Sequence, residues 1–202
     1  MPLTLFIFAL IAYLIGSLSF AVIVSRGLKM ADPRTYGSNN PGATNVLRSG
    51  NKMAAALTLL GDGVKGWLAV FLAISFAPSY GLDERAIALV GIMVLIGHMW
   101  PVFFGFKGGK GVATALGVLL ALNVYLALCA LFVWLFCALV LKISSLAAVI
   151  ACVCMPFMAW FLLGFNHPYT WACVLIAVLI LYRHQDNIIR LLSGKEDKIN
   201  KS

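Results

Sequence analysis

Seven apolar runs, separated by short polar breaks, follow one another along the chain: Leu3–Val24, Met53–Ala77, Ala86–Phe104, Val112–Ala121, Val124–Leu141, Leu146–Phe165 and Tyr169–Tyr182. Residues 112–141 carry a single polar break, Asn123. As one straight helix they would be about 45 Å long, against a hydrocarbon core of about 30 Å. Two short helices joined by a tight turn at Leu122–Val124 fit better. The pattern predicts an all-α polytopic membrane protein of about seven transmembrane helices, or five or six if that hairpin only dips into the bilayer. Residues 1–202 then form a single integral membrane domain, with polar segments at 25–52, 105–111 and 183–202.

Composition removes the soluble alternative. Of 202 residues, 62% are hydrophobic and 11% charged, with a mean hydropathy of +0.99, whereas soluble domains carry about 25% charged residues. The net charge of +8 could suggest nucleic acid in a soluble chain; here its distribution sets orientation instead. With the N-terminus outside, Arg26, Lys29, Arg34, Arg48, Lys52, Lys107, Lys110, Lys142, Arg183, Arg190, Lys195, Lys198 and Lys201 all fall on the cytoplasmic side. Arg85 alone lies outside, and Lys65 sits within a span. An N-out, C-in topology follows, with no nucleic-acid partner. Met1-Pro2-Leu3 lacks a basic leader, so the first run is expected to stay as a membrane helix. Lys195–Ser202 is the one candidate for disorder. The five cysteines lie inside apolar runs without metal-ligand spacing and read as small packing residues.

The outer loops are chemically plain, whereas the inner ones are not. Gly108, Gly109 and Gly111 surround Lys110 in Phe106–Thr114, a loop that opens a helix. Glycines let backbone N–H groups approach an anion, and the helix N-terminus and two lysines favour it. It is not a Walker A loop, which needs Ser or Thr after the lysine. The plainer alternative is a basic turn held by lipid headgroups. Ser38–Arg48 offers hydroxyls, amides and a guanidinium around a Pro-Gly turn, as a phosphate- or glycerol-binding loop or as ordinary turn chemistry. His184 and Asn187 share a helix face or mark a helix end. Asp62 and Lys65, one turn apart in the second span, read first as a mutual ion pair. His98, before Trp100-Pro101, stands near the inner side; His167 is on the outer side and structural. One phosphate takes three or four donors. Arg48, Lys107, Lys110, Arg183, Arg190 and a helix N-terminus are enough for two phosphate-bearing ligands, one of them lipidic.

The segments GSNNPGATN (Gly37–Asn45), GHMWPVFFGFKGGKGVAT (Gly97–Thr114) and RHQDNIIRLLSGKE (Arg183–Glu196) resemble the signature motifs of the bacterial acyl-phosphate:glycerol-3-phosphate acyltransferases, and Asp62-Gly63-Val64-Lys65-Gly66 is similar to their DxxKG. The resemblance runs over essentially the whole chain. It implies transfer of a fatty acyl chain from acyl phosphate to the 1-hydroxyl of glycerol 3-phosphate, giving 1-acylglycerol 3-phosphate and phosphate, for phospholipid synthesis at the cytoplasmic face of the inner membrane. Carried over by position, it implies catalytic roles for Ser38, Arg48, Lys107, His184 and Asn187. Asn40, Gly42, Thr44, Asn45, Gly108, Gly109, Lys110, Gly111, Thr114 and Ser145 are the implied substrate-binding set, and Glu196 the implied structural acid. A mixed anhydride is already activated, so neither metal nor cofactor is expected. The implied partners are the two substrates, membrane lipid, and transiently the enzyme that makes acyl phosphate.

The H-x-x-x-x-D motif of acyl-CoA-dependent acyltransferases is absent: Phe103, Ala172 and Ile189 stand at that spacing from His98, His167 and His184. A CDP-alcohol phosphotransferase needs an Asp-rich continuation that Asp62-Gly63 lacks. A transporter of organophosphates, the alternative of another class, would carry polar residues through several spans and on both faces. For the proton of the attacking hydroxyl, a substrate phosphate is the expected acceptor, with His184 and Asn187 holding the substrate.

Overall fold

A computed structural model describes residues 2–199, all helix and connecting loop with no strand among the described residues. Lys201 of the basic tail lies outside them. The first apolar run, expected as one span over 3–24, is a broken helix. It divides into α1 (Pro2–Gly16) and α2 (Phe20–Gly27), bent by 42°. The Ser17 hydroxyl donates to the Tyr13 carbonyl at 2.9 Å, competing with the backbone ladder. The Leu18 carbonyl, released by the break, accepts from Lys65 Nζ at 2.7 Å.

A short α3 (Ala43–Leu47) lies within the first polar loop. The next helix, α4 (Lys52–Tyr80), has 29 residues and is about 43 Å long. Its start is capped by the Asn51 side chain, which accepts from Ala54 N at 2.9 Å. Asp83 caps α5 (Glu84–Met99) in the same way. Helix α5 stops short of the expected Phe104, because a residue before proline is disfavoured in helical geometry and Trp100 precedes Pro101; Val102–Phe104 is a separate 3-10 turn. Helices α6 (Val112–Leu122) and α7 (Val124–Leu141) meet at Asn123, whose side chain accepts from Leu126 N at 3.0 Å. The turn expected at Leu122–Val124 is there. Helices α8 (Ser144–Leu163), α9 (Pro168–Arg183) and α10 (Gln185–Leu192) complete the chain, with 64° between the last two.

Among the described residues, four helices are long and apolar enough to cross a membrane, or up to six when each bent pair counts as one span. The apolar exterior suits that setting: Phe161 is 89% and Leu139 74% exposed. The most extensive packing joins α4 to α6 and α1 to α5, through glycines that let backbones touch. A Cβ at Gly117 would collide with the Gly63 carbonyl, and one at Gly97 with the Tyr13 carbonyl.

Contacts hold the tail as far as Ile199, within the Lys195–Ser202 stretch read as a candidate for disorder, whose residues 200–202 lie outside the described ones. Lys195 N bonds the Arg190 carbonyl and Ile199 N the Lys142 carbonyl, both at 2.8 Å. All five cysteines are free, and Cys137, Cys152 and Cys173 are buried in apolar clusters.

Candidate active site

Between α5 and α6 the chain doubles back on itself. Gly105 and Phe106 both take left-handed conformations, at φ 64° and 60°, and Gly109 N donates to the His98 carbonyl at 3.2 Å. Arg183, at the end of α9, locks the other side: Nη2 donates to the Gly108 carbonyl at 2.9 Å and Nε to the Gly109 carbonyl at 3.2 Å. No side chain fits inside this fold. A Cβ on Gly108 would strike the His98 and Met99 carbonyls, and one on Gly109 would strike the His98 ring and lie 3.0 Å from the Pro41 carbonyl. Gly111, at φ 87°, then starts α6, whose first N–H groups have no acceptor within the helix and carry its positive dipole end.

Lys110 leaves this loop toward α10. Its ammonium donates to Asn187 Oδ1, and Asn187 Nδ2 donates to Glu196. The same carboxylate accepts from Ser145 Oγ at 2.6 Å and from Arg190 Nε at 2.7 Å. One acid thus fixes the amide that receives the lysine. Burial pulls the Lys110 ammonium down to about 8, with Glu196 opposing. Burial also raises the Glu196 carboxyl, but its bonds to Ser145, Asn187 and Arg190 outweigh that and hold it below the ordinary value.

The first motif is organised by Asn45, which is buried. Its Nδ2 donates to the Pro33 carbonyl at 2.7 Å and the Tyr36 carbonyl at 3.1 Å, while Oδ1 accepts from Ser38 N at 2.9 Å. That leaves the Ser38 side chain exposed. Gly42 precedes α3, Thr44 lies on its first turn, and Asn40 accepts Gly42 N through its carbonyl at 2.9 Å. Arg48 reaches Asp197 of the tail at 3.5 Å. His184 is buried at the α9–α10 bend, its Nδ1 2.8 Å from the Ile180 carbonyl. A carbonyl only accepts, so Nδ1 carries the hydrogen and Nε2 the lone pair. Burial, with Lys110 adding to it and the Ile180 carbonyl opposing, takes this imidazole down to about 4.

The three motifs therefore converge at one end of the bundle: the first meets the glycine loop at Pro41 and Gly109, and the glycine loop meets the third through Lys110 and Arg183. Of the residues picked out by sequence, Lys110, Asn187, Ser145 and Glu196 are bonded together. Lys107 is exposed, with no side-chain partner among the described residues. Thr114 is wholly buried, its backbone against Gly66. Arg183 and Arg190, counted among the anion-binding groups, are engaged with the protein itself. The structuring role of Asn45 escaped sequence reading; an Asn before an apolar pair in a turn-rich loop is its only signal.

The arrangement offers backbone N–H groups, an ammonium, a guanidinium and an exposed hydroxyl around a side-chain-free cradle, which is a site for anionic oxygens. A family model described as "Glycerol-3-phosphate acyltransferase" matches residues 6–194. A glycerol-3-phosphate acyltransferase of Chromobacterium violaceum is 63% identical over 98% of this chain and 97% of its own. One from Neisseria meningitidis serogroup C is 60% identical over 95% and 96%. Two crystal structures of PlsY (YgiH), an integral membrane glycerol 3-phosphate acyltransferase, also match. Its glycerol 3-phosphate form has a TM-score of 0.88 at 39% identity, and its lysophosphatidic acid form 0.86 at 38%; each match covers 96% of this chain and 95% of the other.

Proposed function

Because the chain belongs to the glycerol-3-phosphate acyltransferase family, we propose that it transfers a fatty acyl group from acyl phosphate to the 1-hydroxyl of glycerol 3-phosphate. The observation that carries this reading is the convergence of the glycine cradle with the Lys110–Asn187–Glu196–Ser145 chain at one end of a membrane bundle. In the reaction the glycerol oxygen attacks the acyl carbonyl carbon. The new ester C–O bond forms, the anhydride C–O bond breaks, and phosphate leaves with the electron pair. The hydroxyl proton passes to a substrate phosphate, whose second pKa near about 6 makes it a better base than an imidazole held at about 4.

Lys110 and the first-turn N–H groups of α6 stabilise charge on the leaving phosphate and the developing oxyanion. Arg48 and Ser38 hold the second phosphate from the other loop, with Asn40, Thr44 and Gly42 lining it. His184 Nε2 accepts a hydrogen bond from the other, non-reacting glycerol hydroxyl, and Asn187 orients Lys110. Lys107, exposed in the same loop, adds its ammonium to the substrate phosphate, as the resemblance implies. The site faces the cytoplasm from a bacterial inner membrane with the N-terminus outside, and α6 pairs with α7 to make seven spans; the basic residues gathered at this end support that orientation.

The test is purified protein in lipid, offered acyl phosphate or acyl-CoA separately, each with glycerol 3-phosphate. Lysophosphatidate should form from acyl phosphate. Product from acyl-CoA with none from acyl phosphate overturns the reading.

A further inference from the structure

Three ionisable side chains to which the proposed reaction gives no part are buried together inside the bundle. Asp62 and Lys65 are each 3% exposed and His98 is 7% exposed. Asp62 Oδ1 lies 2.8 Å from Lys65 Nζ and 3.5 Å from His98 Nδ1. Two charges one turn apart on a helix can neutralise each other with no help from elsewhere, and such buried pairs are often replaceable by apolar residues. These two do more. Lys65 reaches across to the Leu18 carbonyl at 2.7 Å, at the break that turns α1 into α2 and so aims the first motif. Asp62 reaches across to His98, which has no other partner at Nδ1.

His98 in turn is part of the glycine loop's seat. Its carbonyl takes the Gly109 N–H at 3.2 Å, and its ring is the first thing a methyl on Gly109 would strike, with the Pro41 carbonyl on the other side at 3.0 Å. One residue beyond Lys65, Gly66 receives the backbone of Thr114 in the first turn of α6. The cluster thus touches, by separate contacts, the element that delivers the first motif, the loop that forms the cradle, and the helix whose N-terminus completes it.

We propose that Asp62 and Lys65 are positioning residues of the phosphate site. Through His98 and the Leu18 carbonyl they fix the separation between the Pro41–Arg48 loop and the Gly108–Gly111 loop. The proposal rests on the acyltransferase reading, so wild-type turnover with glycerol 3-phosphate is measured first; a wild type that acylates nothing overturns that reading before any variant is compared.

The variants are D62N, H98Q and the charge-neutral pair D62N/K65M, each reconstituted in lipid and followed by melting temperature, KM for glycerol 3-phosphate and kcat. Misplacing a binding group by about 1 Å costs up to about 100-fold. D62N and H98Q should therefore raise KM for glycerol 3-phosphate by about 10- to 100-fold, with kcat falling far less. D62N leaves an ammonium unpaired among apolar helices and melts early. The double variant should recover the melting temperature, since no lone charge remains, and keep the raised KM. If the double variant folds with the wild-type KM, the pair only neutralises itself and the proposal falls. A wild-type KM in H98Q overturns it as well, because the path to Gly109 runs through that ring.

Discussion

Lys107 and Lys110 show how one loop places two ammonium groups differently. They sit three apart in the same glycine-rich stretch, and nothing in their spacing ranks them. The fold separates them: Lys110 is drawn into the bundle and bonded to Asn187, while Lys107 is exposed. A hydrogen bond to a charged group contributes about 1.5–3 kcal/mol, so Lys110→Met should lower kcat/KM by about 10- to 100-fold. Lys107→Ala, which removes a charge-assisted bond to a substrate phosphate, should lose a comparable amount in the same steady-state assay. With Lys110 held at about 8, the ammonium is present below that pH and lost above it. Activity should therefore fall as pH rises through about 8 in the kcat/KM profile, and Lys110→Arg, which stays protonated past about 12, should remove that alkaline limb. His184 runs the other way. Burial takes it down to about 4, and the proposed function makes it a hydrogen-bond acceptor rather than the base. His184→Gln should then keep clearly more activity than His184→Ala, with the wild-type pH profile. Equal, near-total loss in both variants, with the acidic limb gone, would make it the general base. The motif residues were legible because their chemistry is in their type. Asn45 was not, because an amide that organises a loop looks no different in sequence from one that binds a ligand.

At the scale of elements, the hairpin at Asn123 was legible because two quantities decide it, the length of a straight helix and the thickness of a bilayer. The break in the first span was not. Gly16-Ser17-Leu18-Ser19 is compatible with a straight membrane helix, and the bend depends on a lysine 47 positions away that takes the Leu18 carbonyl. The contacts of the tail were missed for the same reason: Lys195–Ile199 is polar and short, and what holds it are partners outside it, Arg48, Lys142, Ser145, Asn187 and Arg190. The glycine loop shows what an element adds beyond its residues. Its cradle exists because Arg183, His98 and Pro41 enclose it, and adding a Cβ to Gly109 puts a methyl against the last two. Overpacking of this kind costs about 1–3 kcal/mol. Gly109→Ala should melt somewhat lower and show a raised KM for the phosphate-bearing substrates. Unchanged KM and kcat for both would return the loop to a headgroup-binding turn.

At the scale of the whole molecule, the tail ties two distant points of the chain to one end of the bundle. Lys110 bonds Asn187, just past the end of α9, and the Lys142 carbonyl receives Ile199 N. Residues 110 and 142 therefore lie at the same end of the bundle, and the chain between them leaves and returns. Helix α7, with 18 residues, rises about 27 Å, whereas α6, with 11, rises about 17 Å. Both hang from Asn123. If α7 crosses, the start of α6 stands about 10 Å short of the surface at that end, and the glycine cradle is recessed into the leaflet there. Asp62, 10 residues beyond the start of α4, lies about 15 Å along that helix. On the proposed function, a recessed cradle would bring a phosphate to the level where an acyl chain already lies, so that the lipidic donor would react without leaving the bilayer. The arrangement can be checked by placing single cysteines in a background whose five native cysteines are replaced, then treating intact cells with a membrane-impermeant maleimide. Arg85→Cys should be labelled from outside, whereas Lys142→Cys and Lys195→Cys should be labelled only after permeabilisation. Labelling of Lys142→Cys on intact cells, with Lys195→Cys protected, would place the two ends of the α6–α7 hairpin on opposite sides of the membrane.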